Sequence, residues 1–155
     1  MTKYRSGVGG VLINKKGLIF VGKRKNTQYE WQMPQGGTEF GETYEDAIAR
    51  EMKEEVGINQ FQILGSTPLL KYDLPIDVAK TLWSGKFVGQ EQKWFFLKFL
   101  GADTDININF EARPEFDDWK WINYLEVENL AVAFKKEIYS SIINYGIMNK
   151  FLTNY

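Results

Sequence analysis

The sequence predicts an α+β fold, a mixed β-sheet with helices packed on its faces. Three observations carry this. Apolar runs of strand length recur along the chain, two of them are joined by a turn short enough for a hairpin, and segments of helical periodicity lie between them. A hairpin argues against a purely parallel sheet, and interspersed helices must cover its faces. With 155 residues, 44% of them hydrophobic, the chain is the size of one domain spanning 1–155, with enough core to need no disulfide or structural metal.

The elements follow in order. Residues 7–14 (GVGGVLIN) and 18–23 (LIFVGK) flank Asn14-Lys15-Lys16-Gly17, a turn signal, and form the hairpin. Residues 43–56 repeat with helical period and stop at Gly57, where a C-terminal glycine belongs. Residues 61–68 and 93–100 (KWFFLKFL) read as strands, the latter buried, and 119–122 as another short one. Residues 129–151 are expected to form a closing helix, with Leu130, Phe134, Ile138, Ile142 and Tyr145 in an i, i+4 stripe. The stretch 69–92, with Pro75, Gly85 and Gly89, is long enough to be functional or to hold a short element of its own.

Composition excludes several chemistries. The chain has no cysteine and no histidine, which removes disulfides, thiolate and imidazole metal sites, and cysteine or Ser-His-Asp nucleophiles. Any acid-base or metal chemistry must come from carboxylates. Nineteen basic against twenty acidic residues argue against bulk electrostatic coating of nucleic acid, although a local basic site fits. No window approaches the roughly 18 apolar residues of a membrane span, and 1–6 lacks a signal-peptide core, so a soluble cytoplasmic protein with no membrane partner is expected.

The informative segment is 36–58, GGTEFGETYEDAIAREMKEEVGI. At 100° per residue, Glu51, Glu54 and Glu55 fall within about a 100° arc, while Ala49, Met52 and Val56 share another. Three carboxylates so placed raise each other's pKa unless a cation neutralises them. Mg²⁺, which takes oxygen ligands and keeps waters that phosphate oxygens can replace, suits them. Gly36 and Gly37 let backbone approach a metal or phosphate closely. Arg50 is suited to bridge Glu42 or a neighbouring carboxylate and hold the loop on the helix. A solvated acidic face is the plain alternative for the three glutamates.

The spacing decides between them. Gly36, Glu42, Arg50, Glu51, Met52, Glu54, Glu55, Gly57 and Ile58 reproduce every fixed position of the Nudix box, and the chain resembles the Nudix hydrolases. Within them it is similar to the RNA pyrophosphohydrolase and dinucleoside polyphosphate hydrolase branch. That likeness rests on Tyr4-Arg5, Trp31-Gln32-Met33-Pro34-Gln35-Gly36-Gly37, Gly89-Gln90-Glu91-Gln92-Lys93-Trp94-Phe95, Pro114-Glu115-Phe116-Asp117 and Val132-Ala133-Phe134-Lys135. It departs from the branch's usual pattern at Ser6-Gly7 and Ala133 and in a slightly long 25–30 loop.

The resemblance implies an α/β/α sandwich and hydrolysis of phosphoric anhydrides with Mg²⁺ or Mn²⁺. It further implies metal ligation by Glu51, Glu54, Glu55, the Gly36 carbonyl and Glu115. Arg5, Arg24 and Lys135 are expected near the phosphates, Tyr72 touching one, and Phe134 against a 5′-terminal base. Phe134 also fits the core stripe, and the residues leave both readings open. The expected substrate is 5′-phosphorylated RNA, cut to a 5′ monophosphate, with dinucleoside polyphosphates as the alternative and a non-catalytic nucleotide-binding domain as a third reading. Lys23, Arg24, Lys25, Lys135 and Lys136 favour RNA. One box carboxylate, Glu51 or Glu54, should take the proton of the attacking water. The protein is expected to be monomeric.

Overall fold

A computed structural model describes residues 3–131 and 133–153. Strands β1 (Tyr4–Ile13) and β2 (Ile19–Arg24) form the expected antiparallel hairpin. Its turn is closed by the Asn14 side chain, whose Oδ1 accepts from the backbone N–H of Lys16 and Leu18, each at 2.9 Å, while Gly17 takes φ 77°. β1 starts three residues before the apolar run. Its polar first residues pair in parallel with β7 (Gly89–Phe99), from Tyr4 opposite Gly89 to Ile13 opposite Lys98.

Around that parallel pair the rest of the sheet is antiparallel. β3 (Trp31–Gln32) and β8 (Phe116–Ile122) pair with β2, and β4 (Gln35–Gly37) with β1. β5 (Phe61–Ser66) and β6 (Leu70–Asp73) pair with β7. The eight strands make one mixed sheet, as the sequence predicts.

Period-two alternation sends apolar side chains to two cores. Val8, Leu12, Phe20, Phe95 and Leu97 pack under α1 (Tyr44–Glu55), against Ala47, Ile48 and Met52. Val11, Ile19, Val21, Trp94 and Phe96 pack on the other face under α4 (Lys136–Met148), against Ile138, Tyr139 and Ile142. The result is helix, sheet, helix. Thr43 caps α1, its hydroxyl accepting from Asp46 N–H at 3.0 Å, and Gly57 ends it at φ 76°, where a Cβ would lie 2.4 Å from the Asn107 carbonyl oxygen. No helix among the described residues is long and apolar enough to cross a membrane.

One expectation is met and one changes. The long 69–92 stretch holds β6, the short helix α2 (Ile76–Thr81) and the start of β7. The closing segment is not one helix. α3 (Val127–Leu130) stops where Ala131 turns extended (ψ 146°), a 3-10 turn covers Ala133–Lys135, and α4 follows. Val132 lies outside the described residues. The interruption takes Phe134 off the core stripe: Ile138 and Ile142 are buried and Leu130 and Tyr145 pack on the core, whereas Phe134 is half-buried and belongs to neither core cluster.

Candidate active site

The C-terminal half of α1 meets β4 at a cavity of about 420 Å³, and the local sequence explains how. Glycines at 36 and 37 let backbone come against side chains. A Cβ on Gly36 would stand 2.1 Å from Oε1 of Glu51, and one on Gly37 would stand 2.3 Å from Nη2 of Arg5. Gly7, one of the departures from the usual pattern, serves the same approach from β1, since a Cβ there would lie 2.7 Å from the Gly36 carbonyl oxygen.

Arg50 locks the 37–42 loop onto the helix. Its Nε and Nη2 donate to the two oxygens of Glu42 at 2.8 and 3.0 Å, and Nη2 also donates to the Gly37 carbonyl at 2.7 Å. Nη1 reaches Glu51 at 2.8 Å and Glu54 at 3.3 Å. This fork holds the Glu42 carboxyl down at about 2 and pushes the Arg50 guanidinium up.

The remaining box carboxylates show the opposite shift. Glu51 is 6% exposed, and burial raises its pKa against the pull of Arg50. Glu55 is raised well above the usual carboxylate range, first by burial and then by the charges of Glu51 and Glu115, and it shares a hydrogen bond with Glu51. Gln35 N–H donates to Glu55 at 3.3 Å. Among the described residues, no three acidic groups converge as they stand in ligating geometry. Glu51 and Glu54 face Arg50, and the charge of Glu51 bears on the neighbouring Glu55. The donor set nevertheless fits a hard divalent cation: only oxygens are offered, and crowding of like charge is what such an ion relieves. Glu51, Glu54, Glu55, Glu115 and the Gly36 backbone are the groups that could hold it.

Basic, amide and aromatic side chains complete the wall. Glu115 arrives from the loop before β8, with Arg24 Nε 3.7 Å from its Oε1. Lys135 is buried, donates to Gln32 Oε1 at 3.0 Å, and is pushed down to about 8 by burial and then by the charge of Arg24. Tyr72 accepts from Gln90 Nε2 at 2.6 Å and is pushed up to about 12 by burial. That contact ends a chain of amides along β7: Trp94 Nε1 donates to Gln92 Oε1 at 3.0 Å, and Gln92 Nε2 to Gln90 Oε1 at 3.3 Å.

The cavity thus brings together Arg5, Arg24, Gly36, Gly37, Glu51, Glu54, Glu55, Tyr72, Glu115, Phe134 and Lys135. Glu42, Arg50 and Gly57 stand behind it as framework. Of the basic residues read as a track for RNA, Lys23 is engaged elsewhere, its ammonium bound to Asp117 and to the Thr27 carbonyl. Lys25 and Lys136 are exposed.

Gln32, Gln35, Leu74, Leu82, Trp83, Gln90, Glu111 and Arg113 also line the cavity, and the sequence reading assigned them no role. For Gln90 a signal existed: Gln90 and Gln92 fall in phase with the apolar Trp94 and Phe96 on one face of the strand, where amides are buried only when hydrogen-bonded. Trp83, Glu111 and Arg113 sit in loops with no periodicity to place them.

Known proteins of similar sequence and structure agree with this architecture. The chain is 50% identical over 144 residues to the RNA pyrophosphohydrolase of Orientia tsutsugamushi (strain Boryong), covering 91% of this chain and 88% of that protein. It is 46% identical over 141 residues to the RNA pyrophosphohydrolase of Rhodospirillum rubrum, covering 90% and 85%. In fold it resembles the E. coli dihydroneopterin triphosphate pyrophosphohydrolase (TM-score 0.70, 19% identity, 91% of this chain and 98% of that one). It likewise resembles a C. elegans Ap4A hydrolase in a binary complex (TM-score 0.67, 20% identity, 94% and 98%). The NUDIX domain model matches residues 3–142, and the chain belongs to the NUDIX family.

Proposed function

We propose that this chain is an RNA pyrophosphohydrolase, a single domain over 1–155 that removes pyrophosphate from the 5′ triphosphate end of RNA, or phosphate from a 5′ diphosphate end, and leaves a 5′ monophosphate. The carrying observation is one cavity in which the carboxylates of α1 and Glu115 face Arg5, Arg24 and Lys135, with Phe134 at its wall. The names of relatives 44–50% identical over about nine-tenths of the chain support it. Members of the family generally use a divalent metal ion, and here Mg²⁺ or Mn²⁺ fits the oxygen donors. The working protein is read as a cytoplasmic monomer.

In this reading the ion, when bound, polarises phosphoryl oxygens and neutralises the leaving pyrophosphate. The chain does the rest. Arg5, Arg24 and Lys135 bind phosphate oxygens, with Tyr72 beside them, so that anhydride and water lie in line. Phe134 offers a ring to the first base. A carboxylate of α1 takes the proton of the attacking water, and Glu54, 37% exposed at its side chain against 8% for Glu51, is the one water reaches more readily.

Chromatography of products after incubation with 5′-triphosphorylated RNA and, separately, with diadenosine tetraphosphate tests the assignment. Pyrophosphate and 5′-monophosphate RNA are expected, at a higher kcat/KM than for the dinucleotide. Faster cleavage of diadenosine tetraphosphate would make dinucleoside polyphosphates the substrate.

A further inference from the structure

Between β6 and β7 the chain makes a flap, residues 75–88, that contributes Leu82 and Trp83 to the cavity wall. Its base is fixed, Leu74 N–H donating to the Val88 carbonyl at 2.8 Å and Val88 N–H to the Lys3 carbonyl at 2.8 Å. Its body packs lightly, since α2 buries no residue. At the far side Trp83 and Ser84 both adopt left-handed backbone (φ 48° and 57°), followed by Gly85 at 72°. Two consecutive non-glycine residues enter that region only when something holds them. A backbone bond from Lys86 N–H to the Trp83 carbonyl at 3.3 Å closes this turn, and the Trp83 ring anchors it. The Phe87 ring meets the Trp83 ring nearly at right angles, 5.9 Å between centroids, and the Arg5 guanidinium lies over the Trp83 ring at 4.6 Å.

Arg5 is therefore clamped between two elements distant in sequence. On one side its guanidinium lies against bare Gly37 backbone, and on the other it faces the indole of the flap. No carboxylate among the described residues comes within ion-pair distance of it, although the cavity it lines holds five. Arg5 feels the charge of Glu51 but forms no ion pair with it, and so stays available to an anion.

We propose that Trp83 is a positioning residue, which holds the Arg5 guanidinium aimed into the cavity for the substrate's phosphates and so couples docking of the flap to phosphate binding. The proposal rests on the phosphoric-anhydride chemistry assigned above, and it adds the flap to the site. Cation–π attraction strengthens as water leaves, so binding of the phosphate chain and closure of the flap favour each other.

The test compares Trp83→Ala, Trp83→Leu and Trp83→Phe for kcat and KM on 5′-triphosphorylated RNA, and for the Kd of inorganic pyrophosphate with Mg²⁺ present. Loss of the ring in Trp83→Ala and Trp83→Leu should raise KM and Kd on the order of tenfold, while kcat stays within about twofold of the parent. Trp83→Phe, which keeps a π face, should recover most of the loss. Adding Trp83→Ala to Arg5→Ala should weaken pyrophosphate binding no further than Arg5→Ala alone, because the two act as a unit. Parent-like constants for Trp83→Leu, or losses that multiply in the double variant, would overturn the proposal. Weakened pyrophosphate binding in the ring-less variants of a protein that leaves RNA uncut would keep the role of Trp83 and overturn the RNA reading instead.

Discussion

The carboxylate of Glu51 rests on the bare backbone of Gly36, in the space a Cβ would take, so strand β4 and helix α1 meet through a glycine that cannot be enlarged in place. Gly36→Ala should push the buried carboxylate off its seat and break its 2.8 Å bond to Arg50. A displacement near 1 Å at a reacting centre costs about a hundredfold in rate, so kcat should fall by about that factor. Steady-state kinetics on the folded variant checks this, and parent-like turnover would show that Glu51 has room to spare.

The fork between Arg50 and Glu42 makes a pH prediction. Glu42 titrates near 2 in the fold, below its ordinary value near 4.5, because the guanidinium favours the ionised form. A depressed carboxylate contributes stability that is complete above about 4.5 and is lost as pH falls toward 2. Glu42→Gln should therefore melt below the parent at pH 7, with the gap closing as the melts are repeated downward through that window. A gap independent of pH would assign the loss to shape rather than charge.

Metal dependence follows from the crowding of Glu51, Glu54 and Glu55. Hydrolysis should stop in excess chelator and return with added Mg²⁺ or Mn²⁺. Glu54→Gln should lower turnover at least about a hundredfold, since it removes a metal ligand or the proton acceptor. Its melting temperature should change little, because losing a charge from a repelling cluster offsets the weakened 3.3 Å contact to Arg50. Undiminished rates in chelator would eliminate this chemistry.

Phe134 stands outside both cores, which separates its two readings. Phe134→Ala should lose less than the roughly 3 to 5 kcal/mol of a core phenylalanine cavity. If the ring stacks on a base, substrate binding should weaken by about 1 to 3 kcal/mol. Melting and KM on one variant decide the matter, and a large drop in melting temperature with unchanged KM would return the residue to the core.

Lys135 carries a titration close to working pH. Burial lowers its pKa to about 8, so its charge is a burden on the fold below 8, and the burden lifts as pH rises from about 8 toward 10.5. The melting temperature of Lys135→Met minus that of the parent should accordingly become less positive, or more negative, from pH 7 to 10. KM for 5′-triphosphorylated RNA should rise through pH 8 in the parent and stay level in the variant. A KM profile shared by both would remove Lys135 from the phosphates.

How far the sequence foretells this molecule depends on which interactions are local. The hairpin turn at Asn14 and the stop at Gly57 are decided by neighbours within a few residues, and they sit where the sequence puts them. The acidic face of α1 is likewise fixed by helical period. The break after Leu130 is not legible, because the apolar stripe continues through it and only the tertiary position of the 3-10 turn removes Phe134 from the core. Trp83, Glu111 and Arg113 reach the cavity through loop paths that no periodicity encodes, and the engagement of Lys23 by Asp117 depends on residues far apart in the chain.

The parallel pairing of β1 with β7 bears on how the protein comes to be folded at all. Tyr4 waits for Gly89 and Ile13 for Lys98, so the first strand made is among the last to be completed, and closing so long a loop costs entropy before any contact compensates for it. Such non-local topologies fold slowly compared with helical domains. During synthesis the hairpin of β1 and β2 leaves the ribosome with one edge of β1 open. That edge, apolar from Val8 to Ile13, is the segment of the nascent chain where chaperone binding, or misassociation when chaperones are scarce, should concentrate.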